Sequence, residues 1–130
     1  MLEITKEEVN SILNKVFICV ENGNFIISQG HNRLENRKFI NDYRLTDERQ
    51  REMIKSLDVY DFSKIDKDRN NNYEILYFFG KEYELNHIER GLENKEVYIK
   101  FTIKSTKTRE MIVFISFHQA NYPIQYYFNK

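Results

Sequence analysis

Val97-Tyr98-Ile99-Lys100-Phe101-Thr102-Ile103-Lys104 alternates without a break, with apolar residues at the odd positions and tyrosine, lysine or threonine at the even ones. A period of two is the signature of a strand with one face buried. After the loop Ser105–Arg109, the stretch Glu110–His118 carries Met111, Val113, Ile115 and Phe117 at odd positions and Ser116 and His118 at even ones. The two stretches read as a hairpin. Burying both odd sets on one core fixes the parity and places Tyr98, Lys100, Ser116 and His118 together on the open face. A five-residue loop pairing Lys104 with Glu110 sets Tyr98 across from Ser116, with His118 at the next position.

Outward from this hairpin the pattern predicts helices first and an antiparallel sheet second, an α+β chain in one domain, 1–130. Thr5-Lys6-Glu7-Glu8 is a capping box ahead of Val9, Ile12, Leu13, Val16, Phe17 and Val20 at helical spacing, and Gly23 closes that helix. Asn24–Ser28 reads as a short strand. Leu34–Tyr43 and a segment opened by Thr46 and running to about Ser56 read as two further helices. Asp66–Asn72 reads as a solvated loop; its alternating carboxylates lack the glycine and closing glutamate of a calcium loop. Tyr73–Phe79, a Gly80-Lys81 turn and Glu82–His87 read as another hairpin, followed by a polar connection over Asn86–Glu96. The aromatic tail Tyr122–Phe128 holds Pro123, the only proline, and is expected as an edge strand or an extended cover.

Apolar residues make up 41% of the 130 residues, with ten Phe and nine Tyr, enough for a core without disulfide or metal. Cys19 is the only cysteine and lies in an apolar run, so it reads as a core residue in a reducing, cytoplasmic compartment. No apolar run approaches the ~20 residues of a membrane span, and the acidic start does not read as a signal peptide. Formal net charge is zero, which argues against a protein that coats nucleic acid at large. The balance is uneven, however: residues 97–130 carry a net +4. His31 and His87 stand in polar surroundings and read as surface residues without the spacing of a zinc site, so no metal and no cofactor is expected.

A phenol, an ammonium and an imidazole converging on one sheet face suit phosphodiester cleavage in RNA. RNA brings its own nucleophile, the 2′-hydroxyl. The protein need only move protons and hold positive charge near the phosphorane. Histidine is the residue type suited to either proton transfer near neutrality. Lysine supplies charge, and tyrosine donates a hydrogen bond or stacks on a base. Polar residues on the outer face of a half-buried sheet are also what any α+β protein displays.

Val97-Tyr98-Ile99-Lys100 followed by Ile115-Ser116-Phe117-His118 resembles the closing hairpin of the MqsR family of mRNA-cleaving toxins, relatives of the RelE ribonucleases. Leu57-Asp58-Val59-Tyr60-Asp61-Phe62-Ser63-Lys64 is similar to the segment in which that family places an Asp-Phe pair and then an active-site lysine. The opening helix ending in Asn22-Gly23 also fits. The resemblance implies a RelE-like fold, endonuclease activity on mRNA and a cognate antitoxin. Carried over by position, it implies Lys64 and Tyr98 as catalytic residues; the reading of the sheet face adds Lys100 and His118 to the catalytic set, with Ser116, Thr102 and Lys104 beside them as substrate-binding residues. His118 stands where the family has a lysine, a family glutamine falls near Leu76 with no polar equivalent, and Lys81–Lys95 exceeds the family's length. The other reading is a non-catalytic phage or mobile-element accessory protein that uses the same face to bind a protein partner.

Overall fold

The computed structural model describes residues 3–130. Helix α1 (Lys6–Glu21) opens with the capping box: Glu8 N donates to Thr5 Oγ1 (3.2 Å) and Thr5 N to Glu8 Oε1 (3.0 Å). Its stripe Val9, Leu13, Val16, Cys19 and Val20 is buried. Gly23, at φ +76°, turns the chain into strand β1 (Phe25–Ile27). Helices α2 (Leu34–Asp42) and α3 (Asp47–Lys55) follow, the latter capped by Thr46 Oγ1 accepting from Arg49 N. A short 3₁₀ turn (Val59–Asp61) leads into β2 (Phe62–Asp68), β3 (Glu74–His87), β4 (Gly91–Ser105) and β5 (Glu110–Gln119). The chain is α+β, with the helices on one face of the sheet's phenylalanine-rich core.

Strand order is β1-β5-β4-β3-β2, and β1 runs parallel to β5, so the sheet is mixed rather than wholly antiparallel. Three further expectations need correction. Strand β3 is one continuous 14-residue strand, with no turn at Gly80-Lys81. The polar stretch Asn86–Glu96 is the end of β3 and the start of β4, whose reversal lies at Ile88–Arg90 before Gly91 at φ +82°. Its alternate residues are polar because one face of this extension meets solvent, while Tyr83 and Leu85 point to the core. Asp66–Asp68 belongs to β2, and the reversal is confined to Arg69–Tyr73, where Asn72 and Tyr73 take positive φ.

His87 is not a surface residue. It is 6% exposed, its Nδ1 accepts from Glu89 N (3.0 Å) and Arg90 N (3.2 Å), and its ring meets Tyr43 edge-on. It supplies acceptors to the reversal between β3 and β4. Cys19 is buried as expected, and burial pushes its thiol pKa up.

Two β-bulges set the faces of the outer strands. In β2, Phe62 pairs with Phe79 but Lys64 with Phe78, leaving Ser63 as the extra residue. In β5, Phe114 pairs with Phe101 but Ser116 with Lys100, leaving Ile115 extra. A single inserted residue exchanges the two faces of the strand beyond it. Ile112 and Phe114 therefore reach the core before the bulge, and Phe117 reaches it after. Met111 and Val113, expected inside, lie on the other face.

The second bulge is held by Asn36 of α2, 1% exposed. Its Nδ2 donates to Ile115 O and Ser28 O, and its Oδ1 accepts from Phe117 N, each at 2.8 Å. These backbone groups lie where β1 has ended and β5 has lost its neighbour, so only a side chain can satisfy them.

Beyond β5 the chain crosses the open face as an extended strap, the cover anticipated from its composition. Ala120 N donates to Glu96 O (2.8 Å) and Tyr127 N to Phe62 O (2.9 Å), and Tyr127 and Phe128 then pack against Phe62. Ile124 lies directly over Gly80, where a Cβ would come within 2.3 Å of its Cδ1. Glycine is needed there for close approach rather than for a turn. No helix among the described residues is long and apolar enough to cross a membrane.

Asn36→Leu should lower the unfolding free energy by about 2–4 kcal/mol, because it strands buried backbone groups. Urea denaturation measures this, and a loss under about 1 kcal/mol would show that the bulge holds without Asn36.

Candidate functional site

The open face presents two adjacent cross-strand rows. Lys64, Phe78, Lys100 and Ser116 stand opposite one another on β2, β3, β4 and β5; Gly80, Tyr98 and His118 form the next row. Side chains so paired start about 4.5–5.5 Å apart. Both bulges are required for this. With unbroken alternation Lys64 would share the core face with Phe62, and Ser116 and His118 would share it with Phe114. The pairing differs from the expected register by two residues, one because Ser105 rather than Lys104 pairs with Glu110 at the loop and one from the bulge at Ile115: Tyr98 faces His118 directly, and Lys100 faces Ser116.

Ring centroids of Tyr98 and His118 lie 5.6 Å apart, and those of Phe78 and Tyr98 6.2 Å apart. Lys64 Nζ sits 4.6 Å and Lys100 Nζ 5.8 Å from the centroid of the Phe78 ring. Neither lysine, nor Arg33 ahead of α2, makes an ion pair among the described residues. Burial first, and then the charges of Arg33 and Lys64, depress the Lys100 ammonium pKa; Asp68 opposes the effect. Burial also raises the Tyr98 phenol pKa, so it remains an O–H donor at neutral pH. The result is a partly desolvated cluster of three cations that an anion would relieve.

His118 is fixed from behind. Its Nδ1 lies 2.9 Å from Gln119 O and 3.6 Å from Glu35 Oε2, and Asn121 Nδ2 donates to that same carboxylate oxygen (3.0 Å). A carbonyl can only accept, which assigns the Nδ1 proton to Gln119 O and leaves Nε2 as the atom free for chemistry. His118 borders three depressions. A cavity of about 700 Å³ has Lys64, Phe78 and Tyr98 on the sheet side and the strap opposite. A second, of about 300 Å³, holds His31, Arg33 and Ser116. A third, of about 310 Å³, extends along Lys38 and Arg90.

Of the residues singled out from the sequence, Lys64, Tyr98, Lys100, Ser116 and His118 come together. Thr102 and Lys104 do not join them: Thr102 is 3% exposed and donates to Ile75 O (2.8 Å), and Lys104 pairs with Glu74 (2.7 Å). Sequence reading missed Arg33, Glu35 and Phe78. The alternation of Leu76, Phe78 and Gly80 could have flagged Phe78. Arg33 and Glu35 reach the site only because β1 lies parallel to β5. Among the described residues no group of three or more His, Cys, Asp or Glu is placed to hold a metal ion. Comparison of the chain with protein-family models, curated proteins and solved structures finds no match.

Lys100→Met should raise the thermal midpoint in chloride buffer at neutral pH, because it removes a half-buried cation set beside two others. The folded pKa lies below the unfolded one, so the cost is present where both states are protonated. It is relieved as pH rises from the depressed value toward the ordinary lysine value, and the variant's advantage should shrink over that window. Phosphate should stabilise the parent chain more than the variant at matched ionic strength. A lower midpoint for Lys100→Met in chloride would contradict this electrostatic account.

Proposed function

We propose that the chain is a metal-independent endoribonuclease of the mRNA-interferase toxin kind, with a RelE-like arrangement of helices on a sheet, restrained by a cognate antitoxin. The observation that carries this reading is the direct pairing of His118 with Tyr98, one row from Lys64 and Lys100, beside a cavity open to substrate.

The chemistry follows from the positions. The phosphate of an RNA strand lies against Lys64 and Lys100, with Arg33 adding to the field. The 2′-oxygen attacks phosphorus, a bond to the 5′-oxygen breaks, and a 2′,3′-cyclic phosphate forms. His118, its Nδ1 proton committed to Gln119 O, takes the 2′-hydroxyl proton on Nε2 as that oxygen attacks and passes it to the departing 5′-oxygen as the P–O bond breaks. Tyr98 donates its O–H to a phosphate oxygen and orients it. The lysines neutralise charge that grows toward the transition state, where a fixed cation in a partly dry site has the greatest effect. The resemblance of the two segments around Lys64 and Tyr98 to the MqsR family supports the same reading.

Single-stranded RNA incubated with the protein in EDTA should yield fragments ending in 2′,3′-cyclic phosphate. His118→Gln should slow cleavage by about 10²–10⁴-fold. It should also relieve growth inhibition while leaving the far-ultraviolet circular dichroism spectrum unchanged. RNA left intact by the parent chain would remove the enzymatic reading in favour of a protein-binding accessory role.

A further inference from the structure

The cavity of about 700 Å³ has unlike walls. On the sheet side lie the half-buried Tyr98 and the Phe78 ring, with Lys64 and His118 at the sides. The facing wall is the strap, tied at its ends by Ala120 and Tyr127 and in its middle by Glu96, whose carboxylate accepts from Ile124 N (3.3 Å) and Tyr126 Oη (2.8 Å). Between these ties Asn121–Pro123 makes no backbone–backbone hydrogen bond, and Tyr122 is 83% exposed. A well-anchored segment therefore holds out a short bow with free backbone groups and an aromatic ring at the edge of an apolar, cation-flanked hollow.

We propose that this hollow is a nucleobase site and that the strap, rather than the sheet, selects the base. The proposal rests on the ribonuclease reading and deepens it: the phosphate sits at Lys64 and Lys100 within reach of His118, and the base of the adjoining nucleotide lies between Tyr98 and the bow. A bare phosphate needs neither an aromatic wall nor this volume, which falls within the roughly 300–1,000 Å³ of small-molecule sites. A planar ligand with one anionic end uses both. Stacking accepts any base. Discrimination needs hydrogen-bonding groups at the base edge, and the backbone N–H groups of Asn121 and Tyr122 and the carbonyls of Asn121–Pro123 are of that kind. Gly80 belongs to the site indirectly, because only its missing Cβ lets Ile124 seat and the strap lie at this height.

Calorimetric titration of the full chain with the four nucleoside 5′-monophosphates, ribose 5-phosphate and inorganic phosphate tests this. At least one nucleotide should bind about tenfold more tightly than ribose 5-phosphate, the scale of one stacked base. Tyr122→Ala, at an exposed position, should erase most of that difference while leaving ribose 5-phosphate binding unchanged. Gly80→Ala, which lifts the strap, should alter the order of preference among the four nucleotides. Equal affinity for ribose 5-phosphate and every nucleotide, or a Tyr122→Ala chain that retains the full preference, would overturn the proposal. Nucleotide preference with RNA left intact removes the ribonuclease reading and keeps the nucleobase site; RNA cleavage with no nucleotide preference does the reverse.

Discussion

Ile115 is one residue more than the ladder between β4 and β5 can pair, and the open face depends on how that surplus is accommodated. The inserted residue lets Phe114 and Phe117 both enter the core, three positions apart where strict alternation forbids it. It also turns Ser116 and His118 outward in the same step. Asn36 makes this geometry tenable by taking up the backbone groups that the bulge and the end of β1 leave without partners. The second surplus residue, Ser63, does the same for Lys64 at the other side of the sheet, and its hydroxyl donates to Gln125 O of the strap (2.6 Å). Bulges next to functional sites re-aim side chains in this way.

The site is a local concentration of charge in a chain that is neutral overall. Lys64, Lys100 and Arg33 come from three separate elements and meet without carboxylate partners among the described residues. Several other surface cations are ion-paired: Lys38 with Asp42, Arg51 with Asp47, Arg90 with Glu93, Lys104 with Glu74. Exposed pairs of this sort contribute little to stability. A neutral protein built this way has little general attraction for nucleic acid yet still offers a defined place for one phosphate group.

Stability and chemistry are coupled through the strap. Its far end adds Tyr127 and Phe128 to the core around Phe62, and its near end holds Glu35 through Asn121 and so steadies His118. The segment that closes the fold is thus the segment that shapes the cavity, and Glu96, on β4 beside Tyr98, is where the two roles meet.

Much of the fold was legible from residue pattern. The capping box at Thr5, the helical stripe ending at Gly23, the buried Cys19 and the open face of Val97–Lys104 follow from local rules that tertiary contacts did not override. The set Lys64, Tyr98, Lys100, Ser116 and His118 was named from the sequence and is found together. Of the inward set expected on β5, only Phe117 was right. Met111 to Ile115 is an unbroken apolar run, so alternation carries no parity there, and a bulge within it leaves no trace in composition. Gly80 read as a turn because a glycine in a strand looks the same whether it bends the chain or admits a neighbour from far away in sequence. His87 read as surface because polar neighbours in sequence do not show that Tyr43 will pack against it.

The sequence by itself determined the class of fold and the residue types on the face between β3 and β5, because a period of two or 3.6 is a local property of the chain. Tertiary structure alone decided which lysines, arginines and carboxylates meet there, that the tail would roof the cavity, and that His118 would stand opposite Tyr98. Those outcomes depend on single-residue insertions and on contacts between residues far apart in the chain, and both are invisible to any pattern read a few residues at a time.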